Sequence, residues 1–186
     1  MHEDNEGRKF LKPRTLAVTA IVLAAAAIRL APHPLNFAPI GALALFGGAY
    51  FSSKRQALIV PLLSLIIGDA ITGFHKLIPF VYASFLVSVA IGFWLRRRRS
   101  ATRIGAATLV GAIQFFLVTN FGVWASSIGS YPKTAGGLTA CYISGIPLFW
   151  NTLAGDAFYA ALLFGGMALA ERKFPALRDQ VTASAV

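Results

Sequence analysis

Acidic side chains are scarce in this 186-residue chain: seven Asp and Glu stand against seventeen Lys and Arg, and charged residues make up only 13% of it. With 56% hydrophobic residues there is too little polar surface to coat a water-soluble globule, which points to an integral membrane protein. One cysteine, Cys141, excludes an intrachain disulfide. Also absent are the phosphate-cradling G-x-x-x-x-G-K-[ST], the zinc-protease H-E-x-x-H and any close Cys/His cluster. The chain is therefore read as a non-enzyme that carries no cofactor and does not hydrolyse ATP on its own. The net charge of +10 raises nucleic-acid binding, but the cations form short clusters between apolar stretches. Loops flanking membrane spans explain them better, and no nucleic-acid partner is expected.

What is present is a succession of apolar runs. A bilayer core about 30 Å thick needs roughly 20 apolar residues per straight helix. This rule predicts an all-α protein with six spans, near 15–30, 40–51, 57–74, 77–95, 104–125 and 152–170. It divides the chain into a basic N-terminus (1–14), a six-span membrane domain (15–170) and a C-terminal tail (171–186). The run 15–30 also suits a secretory signal, but it ends at Arg29-Leu30 in proline-rich sequence without a clear cleavage site, so an uncleaved first span is preferred. Residues 126–150 are broken by Gly, Pro and Ser, and are expected to form a long ordered or re-entrant loop over a cavity.

Fourteen of the seventeen cations fall on one side of this arrangement, in clusters around Arg8–Arg14, Lys54–Arg55, Arg96–Arg103 and Arg172–Arg178. The positive-inside rule makes that side cytoplasmic and places both termini there, in a bacterial inner membrane with lipid as a partner. Arg96–Arg99 is read first as a determinant of this topology, with anionic lipid or an acidic partner as the alternative. A weak internal echo pairs Asn36-Phe37 and Gly68-Asp69 with Asn120-Phe121 and Gly155-Asp156.

The candidate ligand-binding residues collect on the opposite side. Prolines hold His33, Asn36 and Phe37 in an extended link, where His and Asn among apolar neighbours need polar partners. Asp69 and Asp156 lie inside spans, where an ionisable group either serves function or pairs with a neighbouring helix. His75 follows the third span; its imidazole suits a membrane interface, a substrate or a metal. Trp124, Tyr131, Tyr142 and Trp150 fit a headgroup-level aromatic belt or a pocket for a planar ligand. Asn120, Gln114 and Asn151 offer neutral hydrogen bonding to that pocket or between helices.

The segments Arg-Leu-Ala-Pro-His-Pro-Leu-Asn-Phe-Ala-Pro-Ile-Gly-Ala (29–42), Thr-Gly-Phe-His (72–75), Thr-Asn-Phe-Gly-Val-Trp (119–124), Tyr-Pro-Lys-Thr (131–134) and Gly-Asp-Ala-Phe-Tyr (155–159) resemble a bacterial six-span family. That family is similar to the substrate-binding S components of energy-coupling-factor (ECF) vitamin transporters. The resemblance implies a six-helix S-component-like bundle that captures a vitamin-like micronutrient on its outer face, and a coupling subunit with ATPases as partners. Small residues on the first helix would meet that subunit, here Ala20 and Ala24. Similarity in size and outer-face composition to solitary cobalamin-specific members makes cobalamin the leading substrate. No cysteine stands near the outer end of span three to bind cobalt, so His75 and then Cys141 are the candidate ligands to a bound corrinoid. Two other classes compete: a non-transporting membrane scaffold or assembly protein, and a proton-coupled secondary carrier using Asp69 and Asp156.

Overall fold

The computed structural model describes residues 12–32 and 34–178, all helix and connecting links with no strand among them. Six helices follow one another: α1 (Pro13–Ile28), α2 (Ile40–Tyr50), α3 (Lys54–Thr72), α4 (Ile78–Leu95), α5 (Ala101–Ala125) and α6 (Ala135–Lys173). A short 3-10 turn, Pro175–Leu177, closes the described chain.

Four of them, α3 to α6, are long and apolar enough to cross a membrane. Their outward faces are apolar too: Ile59, Leu63, Ile67 and Ile71 recur every four residues along α3 and are all at least half exposed. Such a stripe on water would be a large sticky patch, whereas against lipid it is the natural surface. The two shorter helices depart from the six-span expectation. At 1.5 Å per residue the 16 residues of α1 reach about 24 Å and the 11 of α2 about 17 Å, against a hydrocarbon core of about 30 Å.

α2 is the centre of the bundle. Every residue from Ala42 to Tyr50 is buried, so it has no polar face, and it packs on α1, α3, α4, α5 and α6. Its closest neighbour is α4, whose buried residues Val81, Ser84, Phe85, Ser88, Val89, Gly92 and Leu95 mark one stripe at helical spacing. The two backbones meet at Gly48 and Gly92, where a Cβ on either glycine would lie 2.9 Å from the other's Cα. Lipid gives helices no hydrophobic reason to associate, so this close approach of small residues supplies the dispersion contact that does.

The expected long loop 126–150 is not a loop. The connection spans only 126–134, and α6 starts at Ala135 and runs through Pro147 without a break. Thr134 explains the early start: its hydroxyl accepts from the Gly137 N–H at 3.1 Å, a side-chain cap that the sequence reading passed over. The glycines that suggested a broken segment are sites of close packing within the helix. Gly137 lies against the Pro132 backbone, and Gly145 against Asn120 of α5.

Candidate functional site

α6 has two partners along its length. Its first half lies on α5: the Cys141 thiol donates to the Asn120 carbonyl at 3.4 Å and the Tyr142 hydroxyl to the Leu117 carbonyl at 2.8 Å. Its second half lies on α2, with Phe164 edge-on to Phe46 at 5.5 Å and against Tyr50 at 5.6 Å. Between Gly145 and Asp156 the helix passes from one partner to the other, and a cavity of ≈ 330 Å³ opens in that transition.

The cavity lies at the end of the bundle away from the basic clusters. α6 contributes Gly145, Leu148, Phe149, Thr152 and Asp156; α5 contributes Phe115, Phe116, Thr119, Asn120 and Val123. The remaining wall comes from Arg29, Asn36 and Ala38 of the link after α1, Ile40 and Gly41 of α2, and His75, Leu77 and Val81 around the start of α4.

Local backbone chemistry positions these groups. Pro34 to Phe37 form a turn closed by the Phe37 N–H to the Pro34 carbonyl at 3.0 Å, with Asn36 at φ 61°. Asparagine is, after glycine, the residue best suited to that left-handed conformation. Gly155 lets this link sit on α6, since a Cβ there would come within 3.1 Å of the Phe37 Cα. His75 follows Gly73, whose φ of 103° ends α3 as only glycine does without strain.

Asp156 is buried and its Oδ1 accepts from the Ala42 N–H at 3.1 Å. A Cβ at Gly41 would collide with this carboxylate, so the glycine makes room for an acid at the first turn of α2. There the helix dipole and the open backbone N–H groups stabilise a negative charge. Asp69 is equally committed: it pairs with Arg29 and accepts from the Tyr82 hydroxyl at 2.9 Å, joining the end of α1 to α3 and α4. Both intramembrane acids thus serve helix packing, the alternative that residue type alone had left open. Arg29 also lines the cavity, a role missed because it was read only as the end of a span.

Hydrogen bonding within the wall sets its polarity. The hydroxyls of Thr119 and Thr152 donate to the Phe115 and Leu148 carbonyls of their own helices, at 2.7 Å and 3.0 Å. The Asn120 amide nitrogen donates to the Phe116 carbonyl at 2.8 Å. The two hydroxyls have donated their protons and keep lone pairs, and Asn120 keeps its amide oxygen beside a second N–H, so with Asp156 these groups offer mainly acceptors. The aromatic side is built from Phe115, Phe116 and Phe149, the last two edge-on at 5.3 Å.

Of the residues expected at a binding site, Asn36, His75, Asn120 and Asp156 line this cavity together. His33 lies outside the described residues. Phe37 packs on Phe158 and Tyr159 at 6.0 Å and 5.9 Å, behind the wall. Asn151 donates to the Leu35 carbonyl at 3.0 Å, pinning the link rather than facing the cavity. Trp124 bonds to the Pro132 carbonyl at 2.9 Å beneath the Lys133 ammonium, and Tyr131 folds over Gly129, so both order the 126–134 connection. Tyr142 stacks on Phe116 from outside. Gln114 joins α5 to α4 through the Ser84 carbonyl and Ser88 hydroxyl, and Trp150 is well exposed. Cys141 is buried between α5 and α6 and does not reach the cavity that His75 lines, so the two candidate cobalt ligands are not brought together. Among the described residues no three His, Cys, Asp or Glu side chains gather as a metal site. Thr119, Thr152 and the three phenylalanines passed unnoticed, because hydroxyls and aromatics inside an apolar helix carry no sequence signal of which face they occupy.

No curated protein and no solved structure matches the chain. A family model matches residues 9–177, nearly the whole length, and the chain belongs to that family, DUF6580, a family of unknown function.

Proposed function

We propose that this is a membrane transport protein that binds a vitamin-like micronutrient at the outer face of a bacterial inner membrane, rather than an enzyme. The observation that carries this reading is the ≈ 330 Å³ cavity, where residues from α2, α4, α5, α6 and two links converge on one acceptor-rich, aromatic-walled space. Ligand pockets are typically about 300–1,000 Å³, apolar, with a few placed polar groups. The positive-inside rule supports the orientation, since the basic clusters lie at the other end of the bundle.

The wall also suggests a class of cargo. Acceptors at Thr119, Asn120, Thr152 and Asp156 suit a molecule with several N–H or O–H donors, neutral or singly positive, and the phenylalanines suit a ring. Arg29 adds no net positive charge, because Asp69 neutralises it. The volume equals that of about ten waters, so a compact vitamin fits. Cobalamin, the substrate that the resemblance implies, is far larger, and its capture requires the outer ends of α5 and α6 to part. In the S-component reading an ECF coupling subunit with its ATPases supplies the energy, and it would dock on α1. Ala20 and Ala24 lie one turn apart on the exposed face of that helix, which supports such docking.

Purification from cells in rich medium, followed by mass spectrometry of co-purifying small molecules and thermal unfolding against a vitamin panel, tests the reading. A ligand at a hundred times its Kd adds about 2.7 kcal/mol, or roughly 5–11 °C at 2–4 °C per kcal/mol. Stabilisation by a compact, donor-rich vitamin is the expected result. No co-purifying molecule and no stabilisation by any vitamin overturns it in favour of a scaffold, the reading that the structural partners of Asp69 and Asp156 otherwise support.

A further inference from the structure

At the basic end of the bundle a second cavity, of ≈ 810 Å³, is enclosed by four separate stretches of chain. They are the start of α1 with Lys12 and Arg14, the end of α2 with Tyr50, the connection after α4 with Arg96 to Arg99, and the C-terminal turn with Arg178. Seven cations thus face one space. We propose that this cavity is a binding site for a phosphate-bearing anion, of the kind carried by an anionic phospholipid headgroup or by soluble phosphate.

The described residues do not balance this charge among themselves. Glu171 is the acid nearest to it among the described residues, pairing with Arg14 at 2.9 Å and Arg99 at 3.9 Å. Asp69 and Asp156 are consumed at the other end, so among the described residues one carboxylate stands against the seven cations of the cavity. Crowding cations at one place costs energy unless an anion shares it. Arginine is the side chain best suited to that partner, since its planar fork matches phosphate oxygens two at a time.

The site is also partly organised in advance. Arg14 and Arg99 flank the Tyr50 ring, at 5.4 Å and 4.4 Å from its centroid. Arg96 donates to the Gly48 carbonyl at 2.7 Å and lies over Phe93 at 4.5 Å. Lys12, Arg97 and Arg98 are exposed and, among the described residues, make no side-chain hydrogen bond or ion pair. Three held guanidiniums thus form the floor, with three uncommitted cations around it. Topology alone does not ask for this, because the positive-inside rule counts charges in loops and is indifferent to whether they converge. Lys54, Arg55 and Arg103 carry charge on the same side and stay out of the cavity. Basic pockets between helices at headgroup depth are the pattern by which membrane proteins hold anionic lipids.

The test uses the full-length, delipidated protein in neutral detergent, titrated with phosphatidylglycerol, phosphatidylcholine or inorganic phosphate at constant ionic strength. Thermal unfolding and native mass spectrometry are the readouts. Phosphatidylglycerol is expected to bind and raise the unfolding temperature, and phosphatidylcholine is not. The double variant Arg97→Gln/Arg98→Gln is expected to weaken binding about 25-fold, at about fivefold per cation, while Lys54→Gln/Arg55→Gln leaves it unchanged. A response to inorganic phosphate as strong as that to the lipid upholds the site and assigns it a soluble anion. Equal binding of both lipids without any phosphate response, or equal weakening by the two double variants, overturns it, since either means diffuse surface charge instead of a site.

Discussion

Removing the charge of Asp69 should destabilise the bundle more than almost any other single change, and removing Arg29 with it should restore much of the loss. The Asp69 side chain is 1% exposed and Arg29 16%, so neither charge is solvated by water when its partner goes. One carboxylate oxygen of Asp69 takes the Arg29 guanidinium and the other the Tyr82 hydroxyl; the second guanidinium nitrogen reaches only the Leu65 carbonyl, at 3.4 Å. Asp69→Asn leaves a buried cation beside a neutral amide whose single oxygen replaces two carboxylate oxygens, and Arg29→Gln leaves a buried anion with no cation beside it. Breaking a buried pair from either side costs about 3–5 kcal/mol. The double variant Arg29→Gln/Asp69→Asn carries no charge and retains an amide to accept from Tyr82, so about 1–3 kcal/mol is expected, the cost of one imperfectly satisfied polar group. Thermal unfolding of the ligand-free protein should show each single variant lowered by roughly 6–20 °C, at 2–4 °C per kcal/mol, with the double variant above both. Additive losses, or single variants within about 1 kcal/mol of the parent, would refute the claim that this pair holds α1 to α3 and α4.

At the α2–α4 crossing, Gly48→Ala or Gly92→Ala forces a methyl group onto the facing backbone. The expected loss is at least about 1–3 kcal/mol, read as lower folded yield and unfolding temperature, whereas Gly165→Ala, with open space around it, is tolerated. Asp156→Asn keeps an acceptor for the Ala42 N–H and should cost no more than about 2 kcal/mol. If the cargo is a donor-rich cation, the same variant should weaken its binding at least tenfold in a titration, separating the structural role of this acid from its role in recognition. His75→Ala is expected to weaken ligand binding and Cys141→Ala to leave it unchanged, as judged by isothermal titration. Cys141 should also react only slowly with maleimide in the folded protein, because it is 2% exposed.

Charge was the most legible layer of this sequence. Clusters separated by apolar runs predicted which residues share an end, and Lys12, Arg14, Arg96 to Arg99 and Arg178 do lie at one end, where their convergence on a cavity goes beyond that reading. Helix length was less legible. A window that counts apolar residues cannot tell a membrane crossing from a short helix buried on all sides, and α2, with 11 residues and no polar face, is the second kind. Gly136, Gly137, Gly145 and Pro147 lowered the helical signal of 135–150, while the capping Thr134 and the packing of α5 that override it are respectively a single residue and a tertiary effect. The site was half visible: polar residues in apolar surroundings drew attention to Asn36, His75, Asn120 and Asp156. Whether such a residue faces a cavity or a neighbouring helix depends on rotation about the helix axis, and Tyr142 and Asn151 fell on the wrong side of that distinction.

The commitments of the two intramembrane acids bear on how transport would be powered. A carrier that couples cargo to its own proton or cation gradient needs a carboxylate able to change partners during the cycle. Asp69 is engaged by a guanidinium and a hydroxyl on two other helices, and exchanging them for an ion would unlink α1 from α3 and α4. Asp156 faces the cavity, but it also holds the first turn of α2, the helix on which all the others pack. Releasing that cap would disturb the centre of the bundle rather than a peripheral gate. Both acids therefore behave as fixed structural parts of the bundle. Under the proposed transport function, a bundle whose acids are fixed in this way would have its movement driven from outside, the division of labour that an external coupling subunit docked on α1 would provide.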